Sequence, residues 1–60
     1  IQNTLLGVTI LSDSSTMGDA LSTTCFILGP EEGMRLIESL EDVEAVFITN
    51  DYALHYSSGL

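Results

Sequence analysis

Asp19 and Thr23 are the residues of this sequence whose types and spacing point most directly to chemistry. Four residues along an α-helix advance by about 400°, so the two side chains project within roughly 40° of one another. Together they offer a carboxylate and a hydroxyl. Hard oxygen donors in such small number suit Mg²⁺, which keeps several waters and takes substrate phosphate oxygens for its remaining positions. Two ligands are too few for a cage, so another segment or the substrate must complete the site. The plainer alternative is an aspartate at a helix start with an exposed threonine beside it.

The elements that must position this pair follow from the flanking residues. Gln2 and Asn3 lead into a strand over Leu5–Ser12, where Val8, Thr9 and Ile10 favour extended backbone. Leu6, Val8 and Ile10 fall on one face and Leu5 and Leu11 on the other, the pattern of an interior strand covered on both sides. Ser15 and Thr16 are the candidate N-caps of the helix. With Thr16 as cap, Asp19 takes the third helical position, where free amides and the dipole favour a carboxylate. Met17, Leu21, Cys25 and Leu28 then form a core-facing stripe, widened by Phe26 and Ile27. Gly29 ends this helix and Pro30 opens the next.

The second helix is expected over Pro30–Leu40, with Gly33, Met34, Ile37 and Leu40 inward and a Glu31–Arg35 pair outside. Gly33 implies close packing, since glycine inside a helix costs about 1 kcal/mol relative to alanine. Glu41, Asp42 and Glu44 read as a solvated acidic turn. Val43–Asn50 reads as a strand with Val43, Ala45 and Phe47 on one face and Val46 and Ile48 on the other. Asn50–Asp51 suits a tight hairpin turn into a returning strand, Tyr52–Tyr56. The order β-α-α-β-β is an α+β unit with helices on one face of a partly antiparallel sheet.

Size and charge bound the rest. A chain of 60 residues buries only about 60% of the surface its unfolded form exposes, so it is marginal alone. The single cysteine, Cys25, excludes an internal disulfide, and no Cys/His cluster of zinc type is present. Cys25 reads as buried and inert, and His55 as a surface or sheet-packing residue. Apolar residues make up 45% of the chain, too many for a disordered segment. The chain opens on Ile1, and the expectation is one fragment, residues 1–60, of a larger domain whose neighbours it needs. Nine carboxylates against the lone Arg35 give a net charge of −8, which repels nucleic-acid backbones and anionic membranes. A polyphosphate ligand would need a cation between itself and this chain.

Met17–Ile48 resembles the C-terminal part of the ApbE family, the FAD:protein FMN transferases. The likeness rests on Gly18-Asp19-Ala20-Leu21-Ser22-Thr23, then Leu28-Gly29-Pro30, then Val43-Glu44-Ala45-Val46-Phe47-Ile48. Gly7-Val8-Thr9-Ile10 and Tyr56-Ser57-Ser58-Gly59-Leu60 extend it over nearly the whole chain. Its specificity lies in the order of the parts.

The resemblance implies a larger T-fold-like domain that uses Mg²⁺ and takes FAD as substrate. In the family, the aspartate and threonine matching Asp19 and Thr23 bind the metal together with a main-chain carbonyl from an earlier segment. FMN passes to a Thr or Ser hydroxyl of an acceptor flavoprotein and AMP is released. The implied partners are the remainder of an ApbE-like chain, FAD and the acceptor; the implied setting is a bacterial cell-envelope lipoprotein, in the periplasm or at the outer face of the cytoplasmic membrane. The family's His-x-x-Asp-Pro-x-Thr-Gly segment has no counterpart here, and His55 fits no part of it. These residues are therefore expected to supply half of a metal site, and the 60 residues alone to be inactive. Tyr52 and Tyr56 are expected to pack the hairpin face or to meet a flavin edge. The competing reading is a non-catalytic α+β interaction module whose sheet edge pairs with another chain.

Overall fold

Extended, β-branched residues open the chain, and the computed structural model, which describes residues 4–60, forms its first strand from them. Strand β1 is Leu5–Leu11, helix α1 Ser15–Leu28, helix α2 Pro30–Glu38, strand β2 Glu44–Thr49 and strand β3 Leu54–Tyr56. The sheet order is β1-β2-β3, and both pairings are antiparallel. This is the expected α+β order. The Gln2–Asn3 lead-in lies outside the described residues.

The core forms where both helices meet one face of the sheet. Leu5, Cys25, Ile37, Val43, Ala45 and Phe47 are its buried members, with Val8, Ile10, Leu21, Met34 and Leu40 packed against them. Phe47 is wholly buried, a contribution of about 1.5–3 kcal/mol from hydrophobic transfer. Gly33 explains how α1 and α2 come so close. A Cβ there would lie 3.2 Å from both Cys25 Cβ and Phe47 Cε2, so a larger residue would need these neighbours to give by a few tenths of an ångström.

Cross-strand partners share a face, which sorts the remaining residues. Val8 opposes Phe47 and Ile10 opposes Ala45, all on the helix side. Thr9 opposes Val46, Ile48 opposes Leu54 and Val46 opposes Tyr56, on the other side. No described element covers that second face. Leu11, Leu54 and Tyr56 are exposed there, and Val46 and Ile48 only half-buried. The two-sided apolar pattern of β1 and β2 is real, and the described residues answer one side of it.

Several local expectations change. On α1, Cys25 is buried and Leu21 half-buried, but Met17, Phe26, Ile27 and Leu28 are exposed. The helix turns its smaller residues inward, since Gly18 faces Ile10 and Ser12 of β1 and its flank. Helix α2 stops at Glu38, and Arg35 bonds Glu32 at 3.0 Å instead of Glu31. Both partners are well exposed, so the pair contributes little. The hairpin is wider than a two-residue turn. Thr49 N–H donates to the Ala53 carbonyl, and the positive φ falls on Tyr52 (66°), not on Asn50 or Asp51. Strand β3 accordingly begins at Leu54. Tyr52 and Tyr56 are exposed, Tyr52 outside the strand and Tyr56 opposite Val46.

Candidate functional site

The start of α1 differs from expectation by one or two residues, and this relocates the candidate aspartate. Ser14 is the N-cap: its backbone is extended, and its Oγ accepts from Met17 N–H at 3.1 Å. Ser15 and Thr16 are already helical. Ser14 wins because Ser12 braces it, with Ser12 Oγ donating to the Ser14 carbonyl and accepting from its N–H. Counted from Ser15, Asp19 is the fifth helical residue, and the first turn holds no acid. Dipole stabilisation, confined to the first turn, therefore does not explain an aspartate here.

Asp19 and Thr23 are both exposed on α1. Thr23 Oγ1 donates to the Asp19 main-chain carbonyl at 3.2 Å. That bond uses the hydroxyl proton and leaves the oxygen's lone pairs available, while the Asp19 carboxylate takes no part in it. The chain's one arginine is held by Glu32, and no ion pair among the described residues neutralises Asp19. Asp19 also lines a small recess of about 270 Å³ with Ser12, Ser14, Ser15, Gly18 and Ser22, between β1 and the first half of α1. Thr23 is not among the residues that line this recess. No group of three or more His, Cys, Asp or Glu residues gathers to hold a metal among the described residues. The two oxygens are a partial donor set, fit for a hard cation whose other ligands come from elsewhere.

Cys25 fits its expected role. It is fully buried, its thiol faces the Gly33 carbonyl at 3.8 Å, and burial pushes its pKa up. A thiol so placed is a poor nucleophile.

Two clusters escape the sequence reading. In the β2–β3 turn, Thr49 Oγ1 donates to Asp51 Oδ1, Ala53 N–H donates to the same oxygen at 3.3 Å, and His55 Nε2 lies 3.3 Å from Thr49 Oγ1. The Thr49 hydroxyl and then the Ala53 amide hold the Asp51 carboxyl below its usual range. The signal was present as Thr49-Asn50-Asp51, a hydroxyl and a carboxylate bracketing a turn residue. The second cluster fastens the C-terminal residues. Ser58 donates through both Oγ and N–H to Glu38, at 2.6 and 2.8 Å, which lowers the Glu38 pKa. Buried Ser57 donates to Glu44 and accepts from Ala45 N–H at 2.8 Å. Glu44 is thus a half-buried strand residue with partners, not part of a solvated turn; Glu41 and Asp42 alone fit that description.

Comparison with known proteins gives a consistent result. The model of the ApbE family matches residues 1–47. The FAD:protein FMN transferase of Treponema pallidum (strain Nichols) is 40% identical over 53 residues, which are 88% of this chain and 15% of that protein. The FAD:protein FMN transferase of Klebsiella pneumoniae (strain 342) is 36% identical over 58 residues, 97% of this chain and 18% of that protein. The chain therefore spans less than a fifth of the length of these curated relatives. The strand, the Asp-Thr helix, the Gly-Pro junction and the second helix all lie within the matched residues, and by that match the chain belongs to the ApbE family.

Proposed function

We propose that this chain is part of a Mg²⁺-dependent flavin transferase that moves FMN from FAD to a Thr or Ser hydroxyl of an acceptor flavoprotein and releases AMP. Asp19 and Thr23 are its metal ligands within these residues. The reading is supported by the state of this pair: a carboxylate that forms no ion pair among the described residues, one turn from a hydroxyl whose proton is already given to a main-chain carbonyl. Bound Mg²⁺ would supply charge neutralisation on the FAD pyrophosphate. Asp19 contributes the negative charge that holds the cation near a chain of net charge −8, and Thr23 contributes a neutral lone pair of fixed direction. The remaining ligand and the flavin pocket belong to the rest of an ApbE-like chain, in an extracytoplasmic setting.

The test uses the full-length protein. Asp19→Ala should abolish Mg²⁺-dependent labelling of the acceptor with FMN while the circular dichroism spectrum stays unchanged. Labelling at the unmodified rate would remove the metal role from Asp19. The bare sheet face favours a second reading, in which the unit is an interaction module without catalysis. Under that reading Asp19→Ala is silent in transfer, and substitutions on the uncovered face, such as Ile48→Glu, disrupt assembly instead.

A further inference from the structure

Helix α1, which carries Asp19 and Thr23, meets α2 and β2 around Gly33. The Gly33 carbonyl faces the Cys25 thiol at 3.8 Å, and Cys25 and Phe47 are both wholly buried. The room for a Cβ at Gly33 is bounded by Cys25 Cβ and Phe47 Cε2 at 3.2 Å and by Cys25 Cα at 3.3 Å. Two of these three atoms belong to α1. A Cα and a Cβ move only with their backbone, so that side of the junction cannot yield by turning a side chain.

The junction reaches the Asp-Thr pair by a short, stiff path. Cys25 lies two residues beyond Thr23 on the same helix. Two residues turn a helix by about 200°, so Cys25 and Thr23 point to nearly opposite sides. A push on Cys25 from α2 therefore carries Thr23 along its own outward direction. The other two elements are tied elsewhere. Strand β2 is the middle strand, paired with β1 and β3, and Glu38 at the end of α2 takes two hydrogen bonds from Ser58. The displacement caused by a side chain at position 33 falls on α1.

We infer that Gly33 is a positioning residue for the Asp19–Thr23 pair: by keeping a Cβ out of the junction of α1, α2 and β2, it seats α1 where the pair can hold Mg²⁺. The inference rests on the proposal above that the pair holds the metal. Mg²⁺ demands near-ideal octahedral geometry with ligands at about 2.0–2.1 Å, whereas Ca²⁺ accepts about 2.3–2.6 Å in flexible arrangements. A Cβ at Gly33 asks its neighbours to give by a few tenths of an ångström, which is as large as the difference between the two ions. The seat of α1 thus selects the metal as well as holding it.

The test uses the full-length protein and isothermal titration with MgCl₂ and with CaCl₂, which reads metal binding apart from transfer. Gly33→Ala should weaken Mg²⁺ binding by about tenfold or more, as residues behind metal ligands do, and Ca²⁺ binding by less than about threefold. Cys25→Val crowds the same junction from the α1 side and should show the same split. Ile37→Val, in the same core, removes a methyl group and adds no atom beside Cys25. It should lower the melting temperature and leave both affinities unchanged. Unchanged Mg²⁺ binding, or equal loss of both ions, in folded Gly33→Ala or Cys25→Val protein would overturn the inference. Asp19→Ala separates it from the reading beneath it. Mg²⁺ binding that survives Asp19→Ala removes the metal role of the pair, and the positioning role with it. Mg²⁺ binding lost in Asp19→Ala, with the preference for Mg²⁺ over Ca²⁺ intact in Gly33→Ala, removes only the role of Gly33.

Discussion

On α1, Thr23 gives its hydroxyl proton to the main-chain carbonyl of Asp19 and leaves that residue's carboxylate out of the bond. In the β2–β3 turn, Thr49 gives its proton to the carboxylate of Asp51 itself, and Ala53 N–H joins it. The residue types are the same, and the backbone decides the difference. A helix offers a threonine the carbonyl four residues earlier, so the aspartate on the same face keeps its charge unengaged. In the turn the nearby carboxylate is the threonine's closer acceptor, and the Ala53 carbonyl lies farther from the hydroxyl, at 3.3 Å. In the helix pair the carboxylate is left out of the bond. The other closes on itself and fixes the direction of a hairpin. Composition alone cannot separate them.

The comparison breaks most visibly under isosteric removal of charge. Asp19→Asn in the full-length protein should lower the rate of FMN transfer by more than about a hundredfold, since even residues behind metal ligands cost about 10–100-fold. Asp51→Asn should leave transfer intact and lower the melting temperature. Transfer lost in Asp51→Asn and retained in Asp19→Asn would reverse the assignment of the two pairs. A finer division comes from the hydroxyls. Thr23→Val should weaken Mg²⁺ activation by about tenfold or more, with Thr23→Ser restoring it, because the serine keeps the oxygen. The readout is the Mg²⁺ concentration for half-maximal transfer.

Much of this arrangement was legible in the sequence, for identifiable reasons. Gly33, Ile37, Ala45 and Phe47 announced themselves by period and by the cost of a helical glycine, and all are buried. That Asp19 and Thr23 share one turn of α1 was legible because helical spacing is rigid. The N-cap was less so: four hydroxyl residues, Ser12 and Ser14 through Thr16, compete for one role, and mutual bracing of Ser12 and Ser14 settled it. Helix α1 misled for a different reason. Its apolar residues wrap most of the way round, so period could not tell which side the sheet would take, and Met17, Phe26, Ile27 and Leu28 stayed exposed. Glu44 and Ser57 found each other across a separation no local pattern reports.

Smaller effects should separate turn from helix by stability alone. Thr49→Val removes a buried hydroxyl that serves Asp51, and should cost about 1 kcal/mol in chemical denaturation. Thr23 is exposed, so Thr23→Val should stay within about 0.5 kcal/mol of the parent. A larger loss at Thr23 than at Thr49 would mean that the helix pair, too, is structural.

The smallest effect concerns pH. Asp51 is lowered chiefly by the Thr49 hydroxyl and Glu38 chiefly by the Ser58 hydroxyl, so both carboxyls are depressed in the folded chain. A depressed folded pKa contributes stability that is present above the unfolded value, about 4 for these groups, and is lost as pH falls through the lower folded value. The turn and the C-terminal fastening should therefore hold unchanged from neutrality down to about pH 5 and loosen only in stronger acid. Carboxyl ¹³C titration should place both midpoints below those of blocked reference peptides, and amide exchange at Ala53 and Ser58 should quicken over that same acid range. Glu38→Gln should abolish the pH dependence of exchange at Ser58 and leave that at Ala53. Should both amides respond to the one substitution, the two clusters would be coupled through the sheet, and the hairpin could no longer be treated as a closed unit set against the helix pair.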